Sequence, residues 1–156
     1  MNSISEDIPS WATGDHVTNV CEMYFNRFYE FKERLKNYLE AVSAAAPPHD
    51  FDLGALVRTF RHEFAAELRE RNFVHHHRRF EDLALDRVFL TESMAGMGGH
   101  WDERHLAAYR RFTNEWVRRV QRRGERMDEF LEAIASATLA VCSFLSTNQV
   151  ADSGNN

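Results

Sequence analysis

The sequence predicts an all-α fold, a bundle of four or five helices. Only seven glycines and three prolines interrupt its 156 residues. Between them, apolar residues recur at the three- and four-residue spacing of one helix face. We find no alternation typical of a strand and no internal repeat. The length corresponds to one domain, which we place at 16–147, between a flexible N-terminus at 1–15 and a flexible tail at 148–156.

The first predicted helix covers residues 16–44 and is amphipathic. Pro47 and Pro48 end it, because proline lacks the amide hydrogen that a helix needs. Its predicted core face consists of Val17, Val20, Cys21, Tyr24, Phe28, Phe31, Leu35, Tyr38, Leu39 and Val42.

The second predicted helix covers residues 51–76, and Asp50 or Asp52 can cap its first turn. A shorter helix is predicted at 80–93. The glycine-rich segment "AGMGGH" follows, and it lacks the GxxxxGK[ST] pattern of a phosphate-binding loop. The predicted core residues of these two helices are Leu53, Leu56, Val57, Phe60, Phe64 and Leu68, then Phe80, Leu83, Ala84, Val88 and Phe89.

Two further helices are predicted at 102–123 and 128–147. Most arginines of the first of them lie opposite its apolar face. The predicted core residues are Leu106, Tyr109, Phe112, Trp116, Val117 and Val120, then Leu131, Ile134, Thr138, Val141, Cys142 and Leu145.

Composition predicts a cytoplasmic protein. No apolar run approaches the roughly 20 residues of a membrane span. The N-terminal segment contains acidic residues and no apolar core, unlike a secretory signal. Cys21 and Cys142 both lie in apolar helical patterns, which favours buried thiols in a reducing compartment over a disulfide.

Arginine dominates the basic residues, although the net charge is −5. Seventeen of the nineteen basic residues are arginines, and eight of these lie within 101–126. Arginine binds phosphate in a bidentate manner that lysine cannot reproduce. An arginine-rich helix face such as that of residues 104–126 is more often a solvated surface than a nucleic-acid groove. The excess of arginine over lysine is therefore only weak support for nucleic-acid binding.

The stretch "RERNFVHHHRRF", residues 69–80, differs most from ordinary helix sequence. One interpretation is a polar helix end, since cations suit the last turn of a helix. Another is a metal site, because carboxylates and imidazoles nearby can supply ligands. The absence of an HExxH motif and of a second ExxH motif argues against a metal site. The potential ligands are His62, Glu63, Glu67, His100 and His105.

A third interpretation comes from a resemblance. "RNFVHH" resembles the Arg, polar residue, three residues, His pattern of the HEPN superfamily of helical-bundle ribonucleases and related proteins. Arg71, Asn72 and His76 fall on its marked positions. The wider context "FRHEFAAELRERNFVHHH" looks like a stretch found in bacterial HEPN-like proteins. The motif spans six residues, and the helical layout matches over most of the chain.

The resemblance implies a metal-independent endoribonuclease with no cofactor, acting as a homodimer on RNA. His76 would be the general acid or base, because an ordinary histidine pKa of about 6.5 suits proton transfer near neutral pH. Arg71 would hold the phosphate, and Asn72 would orient His76 or the substrate. The neighbouring residues expected to contact substrate are Arg69, His75, Arg78 and Arg79.

Helix geometry leaves the assignment of the histidine open. Arg71 and His75 lie about 40° apart on a straight helix, whereas Arg71 and His76 lie about 140° apart. A joint role for Arg71 and His76 therefore requires a helix end, a distortion or a second chain. His77 also flanks the expected position. The first expectation is thus an endoribonuclease in a toxin or defence role with an antitoxin partner, and the alternative is a non-catalytic helical-bundle interaction protein. Neither is expected to associate with a membrane.

Overall fold

The protein is an all-α helical bundle, as predicted. The computed structural model describes residues 13–76 and 79–147, and these contain helices and connecting segments but no strand. In chain order the helices are α1 (Gly14–Ala45), α2 (Leu53–Glu63), α3 (Ala65–His76), α4 (Leu83–Met94), α5 (Trp101–Val141) and α6 (Phe144–Thr147). Among the described residues, no helix combines the length and apolarity needed to cross a membrane.

The chain divides into two compact units, so the single domain expected from length stays a prediction. Of the described residues, unit 1 contains those up to Asn26 together with those of Glu70–Arg122. Unit 2 contains those of Arg27–Arg69 and those from Arg123 onward. The helices α1, α3 and α5 each contribute residues to both units.

The core of unit 1 forms around aromatic rings. Trp116 makes edge-to-face contacts with Tyr24, Phe25 and Phe80, with ring centroids 5.4, 5.8 and 5.6 Å away respectively. Such contacts stabilise a core beyond the burial of apolar area. The Cys21 thiol is buried in the same core, and this burial raises its pKa to about 12. The core members are Val17, Cys21, Phe25, Phe80, Leu85, Val88, Ala108 and Phe112.

The core of unit 2 is a second aromatic cluster. Phe60 lies at its centre, with ring centroids 4.8 Å from Phe64, 5.0 Å from Phe31 and 5.5 Å from Phe130. Phe28 packs on Phe64 at 5.2 Å. Both Phe60 and Phe64 are fully buried, which explains why the apolar spacing of residues 51–76 predicted a core face correctly.

The predicted helix at 51–76 is two helices, α2 and α3. Asp52 caps α2 by accepting a hydrogen bond from the Ala55 amide at 3.1 Å, which resolves the choice between Asp50 and Asp52. The break falls at Phe64, which leaves helical geometry with φ −106° and ψ 26°. Arg123 donates to the Glu63 carbonyl at 2.8 Å. A side chain from another helix thus satisfies a carbonyl at the break, which local sequence patterns do not reveal.

The prediction of two separate helices at 102–123 and 128–147 was wrong, because α5 continues without a break from Trp101 to Val141. Gly124 made a break plausible, since glycine costs about 1 kcal/mol relative to alanine within a helix. The residues around it are strong helix formers, and Arg126 bonds to Glu129 one turn later. These local preferences outweigh a single glycine, and α6 is a separate short helix.

The predicted core faces were partly wrong. Phe25 and Phe130 are buried although neither was predicted to be. Each lies next to another apolar residue, so the helical phase was assigned one position away. The residues predicted as core but exposed are Val20, Tyr38, Leu83, Phe89, Val117, Val120, Leu131 and Leu145.

Candidate functional site

The predicted site lies at the C-terminal end of α3. Helix formers such as alanine, leucine, arginine and glutamate make up most of this helix, and its last turn contains His75 and His76. Cations are favoured there because the helix dipole is negative at its C-terminus. Val74 packs against the core of unit 1, which anchors the turn that carries the histidines. Arg78, predicted to bind substrate, lies outside the described residues, as does His77.

The helix stays regular through His76 and sets the directions of the motif residues. Asn72 and His76 are one turn apart and share a face, as Arg71 and His75 do. The Arg71 Nη1 atom donates to Asn72 Oδ1 at 3.4 Å. The rings of His75 and His76 meet edge to face with centroids 4.7 Å apart. The structure thus joins Arg71 to Asn72, while about 140° separates Arg71 from His76 around the helix axis.

The motif side chains differ in accessibility. Asn72, His75 and His76 are exposed, and Arg71 is half-buried. Solvent therefore reaches the His76 imidazole and the Asn72 amide, whereas the Nε atom of Arg71 is buried. Arg69 is also exposed, but it belongs to unit 2, whereas the other motif residues belong to unit 1.

Arg79 is held by polar side chains of α1. Its guanidinium lies 3.3 Å from Asp15 Oδ1 and 3.4 Å from Glu22 Oε1, and it also bonds to Asn19. The Phe80 amide donates to the same Glu22 oxygen at 3.1 Å. These bonds fix the entry of the buried Phe80 ring, so Arg79 has a structural role. Its predicted contact with substrate would require exchange of these partners.

Three of the residues considered as metal ligands, namely Glu63, Glu67 and His105, have other partners. Arg126 Nε lies 2.7 Å from Glu63 Oε1, and Arg123 Nε lies 2.8 Å from Glu67 Oε1. His105 is buried with Nδ1 3.2 Å from the Thr91 hydroxyl. Within residues 13–76 and 79–147, no three potential ligands are grouped to hold a metal ion.

The side chains of Glu67 and Arg123 are 3% and 24% exposed, so the acidic partner of this ion pair is buried. Arg123 also stacks on Phe64, with its guanidinium carbon 4.6 Å from the ring centroid. Removing one partner of a buried pair leaves a charge without compensation. Sequence reasoning missed this pair, because arginines of α5 were assigned to the solvated face.

An apolar groove in unit 1 was also missed. It has a volume of about 350 Å³ and includes Val20, Val117 and Val120, which are 51%, 53% and 44% exposed. The sequence did contain a signal for this groove. Val117 lies about 140° around the helix from the buried Phe112, so the two residues do not share one buried face. The groove is lined by residues of α1 and α5, namely His16, Val17, Val20, Cys21, Tyr24, Tyr109, Phe112, Thr113, Trp116, Val117, Val120 and Gln121.

Comparison of the chain with known protein families, with curated proteins and with solved structures gave no match.

Proposed function

We propose that the protein is a metal-independent endoribonuclease of HEPN type that acts as a homodimer. The observation that carries this proposal is the end of α3, where exposed Asn72 and His76 share a face and Asn72 bonds to Arg71. An exposed amide, an exposed imidazole and a half-buried guanidinium thus lie within two helical turns. These groups can respectively orient, neutralise and exchange a proton with a phosphodiester.

In the proposed reaction His76 accepts the proton of a ribose 2′-hydroxyl. The 2′-oxygen attacks the adjacent phosphorus, forming one P–O bond while the bond to the 5′-oxygen breaks. A second acid protonates the leaving 5′-oxygen, so the products are a 2′,3′-cyclic phosphate and a 5′-hydroxyl. Arg71 stabilises the charge on the phosphate oxygens, because a fixed donor is most effective where charge develops.

A second copy completes this site. Within one chain Arg71 and His76 point about 140° apart, so one phosphate does not reach both along a regular helix. Arg71 of one copy and His76 of another can face the same phosphate when the two α3 ends meet. The second histidine then supplies the acid for the leaving oxygen.

The test is RNA cleavage in EDTA by the wild type, Arg71→Ala and His76→Ala. We expect each substitution to reduce the rate by about 100-fold or more, because His76 exchanges the proton and Arg71 stabilises the charge that develops on the phosphate. His49→Ala is the control, because it removes an exposed imidazole of unit 2 that the proposal does not use. Cleavage that survives both substitutions would eliminate this proposal.

Mixing the two variants tests the shared site. A site built from two chains regains Arg71 from one variant and His76 from the other, so the mixture should cleave RNA where each variant alone does not. A mixture as inactive as its components would show that the site lies within one chain.

A toxin or defence role belongs to the same proposal. Expression of the wild type should slow bacterial growth while His76→Ala should not, and co-expression of a dedicated antitoxin should restore growth. Equal growth with both forms would contradict this role without bearing on cleavage in vitro.

The second candidate function is a non-catalytic interaction protein, and the apolar groove of unit 1 favours it. The groove's lining residues carry no carboxylate, ammonium or guanidinium group. Two copies can therefore approach through it without opposing like charges, so a second copy is the occupant that we propose. Exposed apolar patches of this kind often mark protein interfaces.

Sedimentation of Val117→Lys tests the groove, with Leu139→Lys of unit 2 as the control. Both side chains are about half-exposed, at 53% and 51%, so both variants should fold. We expect a dimer for the wild type and the control and a monomer for Val117→Lys. A wild-type monomer would remove this candidate function.

A further inference from the structure

One side of α5 in unit 1 carries a row of arginines that the proposed reaction does not use. Arg104, Arg111, Arg118 and Arg122 are all exposed, and helix geometry places them within about 40° of one another. The first three are one heptad apart, a rise of about 10 Å each. The row therefore extends for about 27 Å along the helix.

Arg118 and Arg122 make no ion pair within the described part of the chain. They are also one helical turn apart, where like charges destabilise a helix. Arg111 donates to Glu115 at 3.2 Å, and Arg104 stacks on Trp101 with its guanidinium carbon 4.8 Å from the ring centroid. Among the residues that the structure describes, an ion pair neutralises only Arg111 of these four arginines, so the row keeps excess positive charge.

A fifth arginine extends the row onto α4. Arg87 is exposed and lines the same shallow groove as Arg111. This groove, of about 200 Å³, also includes Leu83, Ala84 and Ala108. We name the five residues the arginine stripe, and they are Arg87, Arg104, Arg111, Arg118 and Arg122.

The side chains between these arginines favour a polyanion over a protein partner. Ala107 and Ala108 are small, and Glu115 is charged, so this side of α5 offers no large apolar anchor between Arg104 and Arg122. Leu83 of α4, 89% exposed, is the single large apolar side chain in the groove beside Arg87 and Arg111. Protein interfaces depend on aromatic and other large anchors near their centre. A phosphodiester backbone needs only regularly placed positive charge, and arginine contacts phosphate through two parallel bonds.

We propose that the arginine stripe binds the phosphodiester backbone of single-stranded RNA. This inference rests on the proposed ribonuclease function, which identifies RNA as the polyanion. A flexible single strand can follow a straight row of guanidinium groups, because its backbone bends freely between contacts. The stripe then holds substrate near the enzyme without reading its sequence, since phosphate contacts carry no base information.

The experiment measures binding of fluorescein-labelled 2′-O-methyl oligouridine by anisotropy in EDTA, between about 50 and 200 mM salt. This probe keeps the phosphodiester backbone but lacks the 2′-hydroxyl needed for cleavage. The test variant is Arg118→Gln/Arg122→Gln. Arg34→Gln/Arg61→Gln is the control, since it removes the same charge from two exposed arginines of unit 2. Circular dichroism verifies that both variants keep their helices.

We expect the test variant to bind at least about 10-fold more weakly at low salt, with the control near the wild type. The slope of log affinity against log salt should fall by about 1.4, since each phosphate contact to a single strand contributes about 0.7. Equal weakening in both variants would show a general charge effect and overturn the proposal. Polyaspartate binding as tight as RNA would also overturn it, in favour of an acidic protein partner.

The same assay separates this inference from the ribonuclease proposal. His76→Ala should bind the 2′-O-methyl probe like the wild type while failing to cleave unmodified oligouridine. If the wild type binds RNA through the arginine stripe but does not cleave it, the ribonuclease proposal is wrong and the RNA-binding proposal stands. Cleavage that depends on His76, with unchanged binding by Arg118→Gln/Arg122→Gln, would overturn the stripe alone.

Discussion

In unit 2, Arg123 and Arg126 of α5 are held by carboxylates, whereas in unit 1 Arg118 and Arg122 of the same helix make no ion pair among the described residues. Glu63 faces both arginines of unit 2, and Glu67 adds a buried carboxylate beside Arg123. The difference does not lie in the arginines but in what faces them. Arginine content along one helix therefore does not distinguish a structural position from a binding surface.

Adjacent residues of α5 provide the largest test of this comparison. Arg123→Ala should lower the free energy of unfolding by about 3–5 kcal/mol, because it leaves the buried Glu67 carboxylate without its partner. Arg122→Ala should change it by no more than about 0.5 kcal/mol, as expected for an exposed side chain without an ion pair. Urea denaturation of both variants measures the contrast.

A rescue variant shows whether the loss comes from the unpaired charge. Glu67→Leu/Arg123→Met should recover most of the stability lost in Arg123→Ala, because buried ion pairs can be replaced by apolar side chains of similar volume. If Arg122→Ala and Arg123→Ala are equally destabilising, the distinction between the two groups of arginines is wrong.

Glycines give the second contrast, beginning with Gly14 in unit 1. A Cβ atom at Gly14 would lie 2.5 Å from the Phe89 ring. Gly14→Ala should therefore cost about 1–3 kcal/mol, the usual penalty for overpacking. Adding Phe89→Ala should remove most of this penalty in a double-mutant cycle, and additive losses would show that the ring is not the cause.

Gly124 in unit 2 should respond in the opposite direction. No atom lies within 4 Å of a Cβ at this position, and it is inside α5. Gly124→Ala should stabilise the protein by about 0.5–1 kcal/mol, because alanine has the higher helix propensity. Thermal unfolding measures the gain, and a loss of stability would indicate that glycine serves a purpose there other than helix formation.

The helical fold could be predicted because it depends on local spacing. Few glycines and prolines, together with apolar residues at helical intervals, were enough to locate α1, the region of α2 and α3, and α4. The continuity of α5 could not be predicted in the same way, since Gly124 is a weak helix former whose neighbours outweigh it. Phe25 and Phe130 were missed because an adjacent apolar residue fitted the pattern almost as well.

For the candidate site, the sequence indicated which residues to consider but not their contacts with other helices. The four-residue spacing of Asn72 and His76 already places them on one helix face. The bonds of Arg79 to α1 could not be predicted in this way, because they join residues more than fifty positions apart in the chain. Arg119 likewise lies on the inward side of α5, with its guanidinium carbon 5.0 Å from the Trp116 ring centroid. A pattern that treats every arginine as solvated cannot find such positions, because they depend on tertiary neighbours.

The smallest expected effect concerns the pKa of Glu63. The hydrogen bond from the Arg126 guanidinium holds the pKa of this carboxyl below its ordinary value of 4.5. The pKa of Glu63 is lower in the folded protein than in the unfolded chain. The ion pair therefore stabilises the fold at pH values above the ordinary pKa, and this stabilisation is lost as the pH falls through the folded pKa. The effect on stability should be slight, since Arg126 is well exposed and solvent screens the pair.

A chemical-shift titration of the Glu63 carboxyl can detect this pairing directly. The midpoint should lie below 4.5 in the wild type and rise in Arg126→Gln. Arg122→Gln removes the same charge from the same helix but no partner of Glu63, so it should leave the midpoint unchanged. An equal rise in both variants would mean that Glu63 senses the summed charge of α5, and that carboxylate partners do not separate the arginines of unit 2 from those of unit 1.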